Sequence, residues 1–178
     1  MIKYITPKDK DKYYRESSYK IFLAGTIDNG KSKDWQTNIY TKMCIKEVGE
    51  SSPYNEYKIS EKYITIFSPR RDDWKEDATI QDIEEQIKWE QEKLEEADLI
   101  IMYLQDNSKS PISLLELGLY GPSGKLICFC TPNFYRYSNI KLTCEKFLIP
   151  LIEDLNEYTI IEQIYKVYDE IYTDNIVK

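Results

Sequence analysis

Glu116 is the residue whose surroundings most need a chemical explanation. It stands in the run Ser110-Pro-Ile-Ser-Leu-Leu-Glu-Leu-Gly-Leu-Tyr120, with Leu114, Leu115, Leu117 and Leu119 around it. A short helix starting near Ser110 or Ser113 leaves little polar face on which Glu116 could reach water, and an ionised carboxylate is rarely left among apolar groups without a partner. A local explanation competes: Ser113 as N-cap and Glu116, three residues on, as its capping-box partner. A second carboxylate is also out of place. The helix expected over 77–97 carries the stripe Ile80, Ile83, Ile87, Leu94 and Ala97, and continuing its spacing from Ile87 lands on Glu90. Glu90 either interrupts a buried stripe or sits at its edge and reaches solvent.

The totals narrow what these carboxylates could do. The 178 residues suit one domain, read as a polar lead-in over 1–18 and a single α/β domain over 19–178, and Ile2, Tyr4 and Ile5 could add an edge strand. With 24 Lys and Arg against 31 Asp and Glu, the net charge of −7 repels polyanions, so no nucleic-acid polymer is expected as a partner. No apolar run is long enough to span a bilayer and the N-terminus lacks a signal-peptide core, so a soluble, cytoplasmic protein with no membrane partner is expected. There is no histidine, which removes Ser-His-Asp and Cys-His catalysis and Cys/His zinc sites. Cys44, Cys128, Cys130 and Cys144 form no C-x-x-C pair and read as reduced structural thiols. Acid–base work therefore falls to carboxylates, Lys or Tyr.

Strands are expected over 19–24, 63–67, 99–104 and 125–130, with a short fifth within 147–152. Helices are expected over about 34–47, 77–97, 110–120 and 157–172. Strands alternating with helices imply crossover units, hence a mostly parallel sheet of four to five strands with helices on both faces. In such a sheet ligands sit beyond the C-terminal ends of the strands, at a switch in strand order. Gly25-Thr26 follows the first strand, Arg70-Arg-Asp-Asp-Trp74 the second and Ser110 to Glu116 the third. No Gly-x-Gly-x-x-Gly follows the first strand and no P-loop occurs anywhere, which disfavours dinucleotide redox and P-loop chemistry. Two convergent carboxylates without histidine suit cleavage at an anomeric carbon, one attacking it and a second group managing the leaving atom's proton.

Five motifs occur in order: Ile21-Phe-Leu-Ala-Gly-Thr26 with Asp34-Trp-Gln36, Ser68-Pro-Arg-Arg-Asp-Asp-Trp74, Gln86-Ile-Lys-Trp-Glu90, Ala97-Asp98, and Pro111-Ile-Ser-Leu-Leu-Glu-Leu-Gly118. Together they resemble the nucleoside 2-deoxyribosyltransferase-like family over most of 19–155. The resemblance implies a flavodoxin-like, doubly wound fold and a retaining attack by Glu116 on the N-glycosidic bond of a nucleoside or nucleoside monophosphate, supported by Glu90. The implied binding residues are Gly25, Thr26, Arg70, Arg71, Asp72, Trp74, Trp89, Ser110, Ser113 and Asn139. Asn139 would reach a neighbouring subunit's site in a homo-oligomer. No cofactor or metal enters this scheme. Many transferases of the family carry an aspartate six residues before the nucleophile, where this chain has Ser110. A nucleotide hydrolase using Arg70 and Arg71 on a 5′-phosphate, and a non-catalytic nucleotide sensor, are the alternatives.

Overall fold

Runs in which every residue is apolar enough to be covered on both sides make the middle of the sheet. The computed structural model describes residues 1–9, 14–48, 63–71 and 78–173. Its strands are β1 (Ile2–Ile5), β2 (Tyr19–Gly25), β3 (Ile64–Phe67), β4 (Leu99–Leu104), β5 (Leu126–Cys130) and β6 (Leu151–Ile152). Every residue of β3, β4 and β5 is buried. All neighbouring strands are parallel, in the order β1-β3-β2-β4-β5-β6. The sheet thus has six strands where the sequence suggested four to five. The extra one is β1, whose short Ile-Lys-Tyr-Ile run is held by parallel pairing of Ile2 to Ile64 and Ile5 to Phe67.

Without β1, the remaining five strands lie in the order second, first, third, fourth, fifth, which is a doubly wound arrangement. Strand order reverses between β2 and β4. Among the described residues five α-helices cover the sheet: α1 (Trp35–Val48), α2 (Ile80–Glu96), α3 (Pro111–Tyr120), α4 (Tyr137–Phe147) and α5 (Glu157–Thr173). Alternation along β2 sends Ile21 and Leu23 to one face, with Trp35 and Ile39 of α1 and Ile160 and Ile164 of α5. Phe22 and Ala24 meet the other face, with Trp89 and Leu94 of α2, Leu117 of α3 and Ile140 of α4.

The apolar stripe expected on α2 needs correction. Ile80, Ile83 and Ile87 are exposed, at 77%, 39% and 45%, whereas Gln86, Trp89 and Leu94 are buried. Core contact is made one step around the helix, and the row through Ile83, Ile87 and Glu90 faces the cleft beside the sheet. Periodicity located a real face but could not tell a core from a cleft, because both favour aliphatic groups.

At the switch point the two central strands come unusually close. Gly25, at the end of β2, has φ +133°, and a Cβ there would lie 2.0 Å from the Tyr103 carbonyl oxygen of β4. Only glycine fits. The approach lets the Thr26 amide donate to the Tyr103 carbonyl at 2.8 Å, and Trp35 Nε1 caps the turn by donating to the Thr26 carbonyl at 3.1 Å. Gly25→Ala is expected to destabilise the fold by more than about 3 kcal/mol, as a forced backbone displacement. Gly118→Ala on α3, where nothing lies within 4 Å, should be neutral or stabilising by up to about 1 kcal/mol on helix propensity. Urea unfolding of the two variants measures both.

Candidate active site

A cleft of about 570 Å³ opens at the C-terminal ends of β2, β3 and β4, within the size range of small-molecule sites. Its walls come from the turn after β2 (Gly25, Asp28, Gly30), the loop after β3 (Pro69, Arg71), α2 (Gln86, Glu90) and the start of α3 (Ser110, Ser113, Glu116). Ile83, Ile87 and Ile112 form an apolar lip. The sequence motifs that follow separate strands are thus brought to one place, as a doubly wound sheet requires.

The start of α3 decides what Glu116 does. Pro111 is the first helical residue, a position that suits its fixed φ and missing N–H. Ser110 precedes it in the left-handed region, at φ 41° and ψ 54°, with no side-chain cap bond. Ser113 is therefore inside the helix rather than at its cap, and the capping box with Glu116 does not form. The exposed leucines also correct the expected surroundings: Leu115 and Leu119 are 59% and 60% exposed, while Leu117 is buried. Glu116 points to the cleft, not into a ring of leucines.

The strained Ser110 is held by a chain of hydroxyls. Ser110 Oγ lies 2.6 Å from Thr26 Oγ1 and 2.9 Å from Ser108 Oγ, and the Ser110 amide donates to Ser108 Oγ at 3.0 Å. Ser108 Oγ donates to the Asp28 carboxylate at 2.7 Å, and the Gln105 amide donates to Thr26 Oγ1 at 3.0 Å. Because the Ser108 hydrogen goes to Asp28, its oxygen is the acceptor for Ser110, and Ser110 in turn accepts from Thr26. This chain ties the turn after β2 to the first residue before α3. Ser108 and Asp28 were not singled out from the sequence. Asp28 follows β2 by three residues, but nothing in its local sequence shows that the loop after β4 meets it.

On the opposite wall Gln86 Nε2 donates to the Pro69 carbonyl at 2.8 Å and to Glu90 Oε1 at 2.6 Å. Burial pushes the Glu90 carboxyl up, and the Gln86 hydrogen bond pulls it partly back. Glu116 is pushed up to about 8, first by burial and then by the nearby Glu90 charge. Near neutral pH Glu116 therefore keeps its proton, as expected where like charges are confined to one site.

The remaining predicted residues divide. Gly25, Arg71, Ser110 and Ser113 line the cleft, and Thr26 is buried in the hydroxyl chain. Arg70 turns away from it: Nη2 donates to the Gly30 and Ser32 carbonyls at 2.9 and 3.1 Å, and Nε lies 3.6 Å from Asp34. Its observed contacts clamp the turn that carries Asp28. Trp89 faces the core against Phe22 and Phe67 rather than the cleft. Asn139 is exposed on α4 and does not line the cleft. Asp72 and Trp74 lie outside the described residues.

A carboxyl whose native pKa is raised keeps a proton that the unfolded chain releases, so its contribution to stability falls as pH rises from about 4.5 to about 8. Glu116→Gln removes that liability. The variant is expected to gain about 2 kcal/mol more stability over wild type at pH 8 than at pH 5, a figure reduced for the solvent reaching the cleft. Thermal or urea denaturation at the two pH values checks this.

Comparison with known proteins follows the same lines. The sequence profile of a family described as nucleoside 2-deoxyribosyltransferase like matches residues 18–134. No curated protein is similar enough to count as a match. Among solved structures, a conserved protein from Enterococcus faecalis V583 superposes with a TM-score of 0.52 at 16% identity, covering 84% of this chain and 99% of that one. At that identity the likeness concerns the fold alone. The matched segment contains β2 through β5 and every cleft residue named above, and with it this chain belongs to the nucleoside 2-deoxyribosyltransferase-like family.

Proposed function

We propose that the cleft breaks the N-glycosidic bond of a nucleoside or nucleoside monophosphate and passes the sugar, held on Glu116, to another base or to water. The observation that carries this reading is the pairing of Glu116 with Glu90 in one cleft at the switch point, where burial and the Glu90 charge push Glu116 up to about 8 so that it holds a proton near neutral pH. In the reactive arrangement that proton goes to the leaving base. The C1′–N bond breaks, its electron pair remains on the base nitrogen and takes the proton, and the Glu116 carboxylate bonds to C1′. Water or a second base then attacks C1′ and releases Glu116. A carboxylate with a raised pKa is a stronger nucleophile once ionised.

Of the two adjacent arginines, Arg71 lines the cleft and is the one we assign to a 5′-phosphate, whereas Arg70 does not line it and binds the Gly30 and Ser32 carbonyls. Where many transferases carry an aspartate, the Ser110 hydroxyl is already engaged by Thr26 and Ser108. This favours hydrolysis as a strong competitor to transfer. Incubation with deoxyinosine plus adenine, and separately with deoxynucleotides, followed by chromatography, separates the two outcomes. Exchanged nucleoside marks a transferase and free base alone a hydrolase. Glu116→Ala is expected to lose at least about 1,000-fold in rate, as nucleophile removal does in comparable sites. Equal rates for wild type and variant would remove Glu116 from the chemistry. The kcat/KM of wild type should fall above about pH 8 as the pair loses its proton, and fall again in acid as Glu90 and Glu116 both become protonated.

The working form is a homo-oligomer with the cleft near its interface. Ile80, Ile83 and Ile87 on α2 and Ile112, Leu115 and Leu119 on α3 repeat one spacing, and all six are at least 39% exposed. Ile83, Ile87 and Ile112 belong to the cleft lip, so the apolar surface runs from the site outward. A second copy would bury it. Light scattering should show a wild-type oligomer and a monomer for Leu115→Glu with Leu119→Glu; a monomeric wild type would refute the assembly.

A further inference from the structure

Gln86 is a residue that packing alone does not explain. It is 8% exposed, and its Oε1 is buried with no hydrogen-bond partner. A methionine or leucine would fill similar volume without stranding an acceptor. What the amide supplies is its nitrogen. Both Nε2 hydrogens are committed, one to the Pro69 carbonyl of the loop after β3 and one to Glu90 Oε1. The amide cannot turn over, because the reversed orientation would set Oε1 against a carbonyl oxygen and a carboxylate oxygen.

We propose that Gln86 is the positioning residue of the cleft: it anchors the Glu90 carboxylate to the loop after β3 and so assigns the proton of the glutamate pair to Glu116. The inference rests on the carboxylate-pair reading above for its catalytic meaning, but not for the charge assignment itself. A hydrogen bond from an amide N–H favours the ionised form of its acceptor. Glu90 receives such a bond, and no hydrogen bond to Glu116 is seen among the described residues. Besides Tyr120 at the end of α3, which the Glu116 charge reaches, the charged groups facing the pair are Arg71 from the loop after β3 and Asp28 from the turn after β2, and both line the same cleft. Neither is hydrogen-bonded to Glu90 in the structure. Among the described residues, the hydrogen bond that distinguishes the two carboxylates therefore comes from one side chain.

Gln86 sits one helical turn before Glu90, where the spacing of i and i+4 puts it on the same face. From that place it also ties the cleft wall of α2 to the strand β3, because Pro69 lies two residues beyond the end of β3. Binding of a substrate between the walls would meet a Glu90 already fixed in direction, and the proton would have only Glu116 or the substrate to occupy.

The test uses the full chain with and without substrate. Carboxyl carbons of labelled glutamate are titrated by NMR in wild type, Gln86→Met and Gln86→Leu, with Glu90→Gln and Glu116→Gln spectra giving the assignments. Circular dichroism confirms that each variant is folded, and the second Gln86 variant, which keeps the side-chain size, serves if the first does not fold. The expected result is that Glu90 titrates at higher pH in both Gln86 variants than in wild type. In the activity profile the acidic limb should move up with it, with kcat reduced by about tenfold and KM within about twofold of wild type. An unchanged Glu90 titration in a folded Gln86 variant overturns the inference. Wild type that titrates as expected but releases no base from any nucleoside or nucleotide leaves the charge assignment standing and overturns the glycosidic reading instead.

Discussion

The contact between Gly25 and the Tyr103 carbonyl sets the geometry from which the site follows. With no Cβ to hold them apart, β2 and β4 meet at the point where strand order reverses, and the chain leaving β2 turns sharply beneath the cleft. That turn presents Thr26 to Ser110 and Asp28 to Ser108. Ser110 is held by them in a left-handed conformation, and α3 starts at Pro111 with Glu116 aimed at the cleft. A side chain at position 25 would break this sequence of contacts at its first step.

Two buried-facing carboxylates in one cleft oppose stability, and the molecule keeps them by unequal support. Glu90 is hydrogen-bonded by an amide that is itself anchored to a strand end, whereas Glu116 is left with burial and the charge of its neighbour. An unequal pair is what a reaction needs that must both attack a carbon and protonate a leaving nitrogen. The elements around the cleft are tied together by polar contacts. Trp35 locks the turn after β2, and Glu157 binds Lys33, Lys42 and Asn38 to hold α5 against α1.

The arginine pair shows how a local motif can divide its work. Arg70 and Arg71 are adjacent, yet one stabilises carbonyls of the neighbouring turn and the other lines the cleft. Residues next to each other at a strand end point in different directions, so charge clustering in a sequence marks a region and not a shared role. The isoleucines of α2 make the same point for apolar groups. Their row is continuous with Glu90, but it borders a cleft and an exposed face instead of the core.

Residue order and type were enough to place the parallel sheet, the carboxylates Glu116 and Glu90, and the absence of histidine chemistry, because strand hydrophobicity, helical spacing and composition are local or summed properties. The profile match over residues 18–134 agrees with the family suggested by the motifs. Tertiary structure alone decided that Ser113 does not cap the helix, that Trp89 and Arg70 face away from the cleft, and that Gln86 and Asp28 line it, with Ser108 bonded to Asp28. Each of those outcomes depends on contacts between segments far apart in the chain, made only when β2, β3 and β4 lie side by side. Hydrogen-bond direction is likewise a property of the assembled site. An amide one turn before a glutamate is an ordinary helical neighbour until the Pro69 carbonyl arrives to fix which way it points.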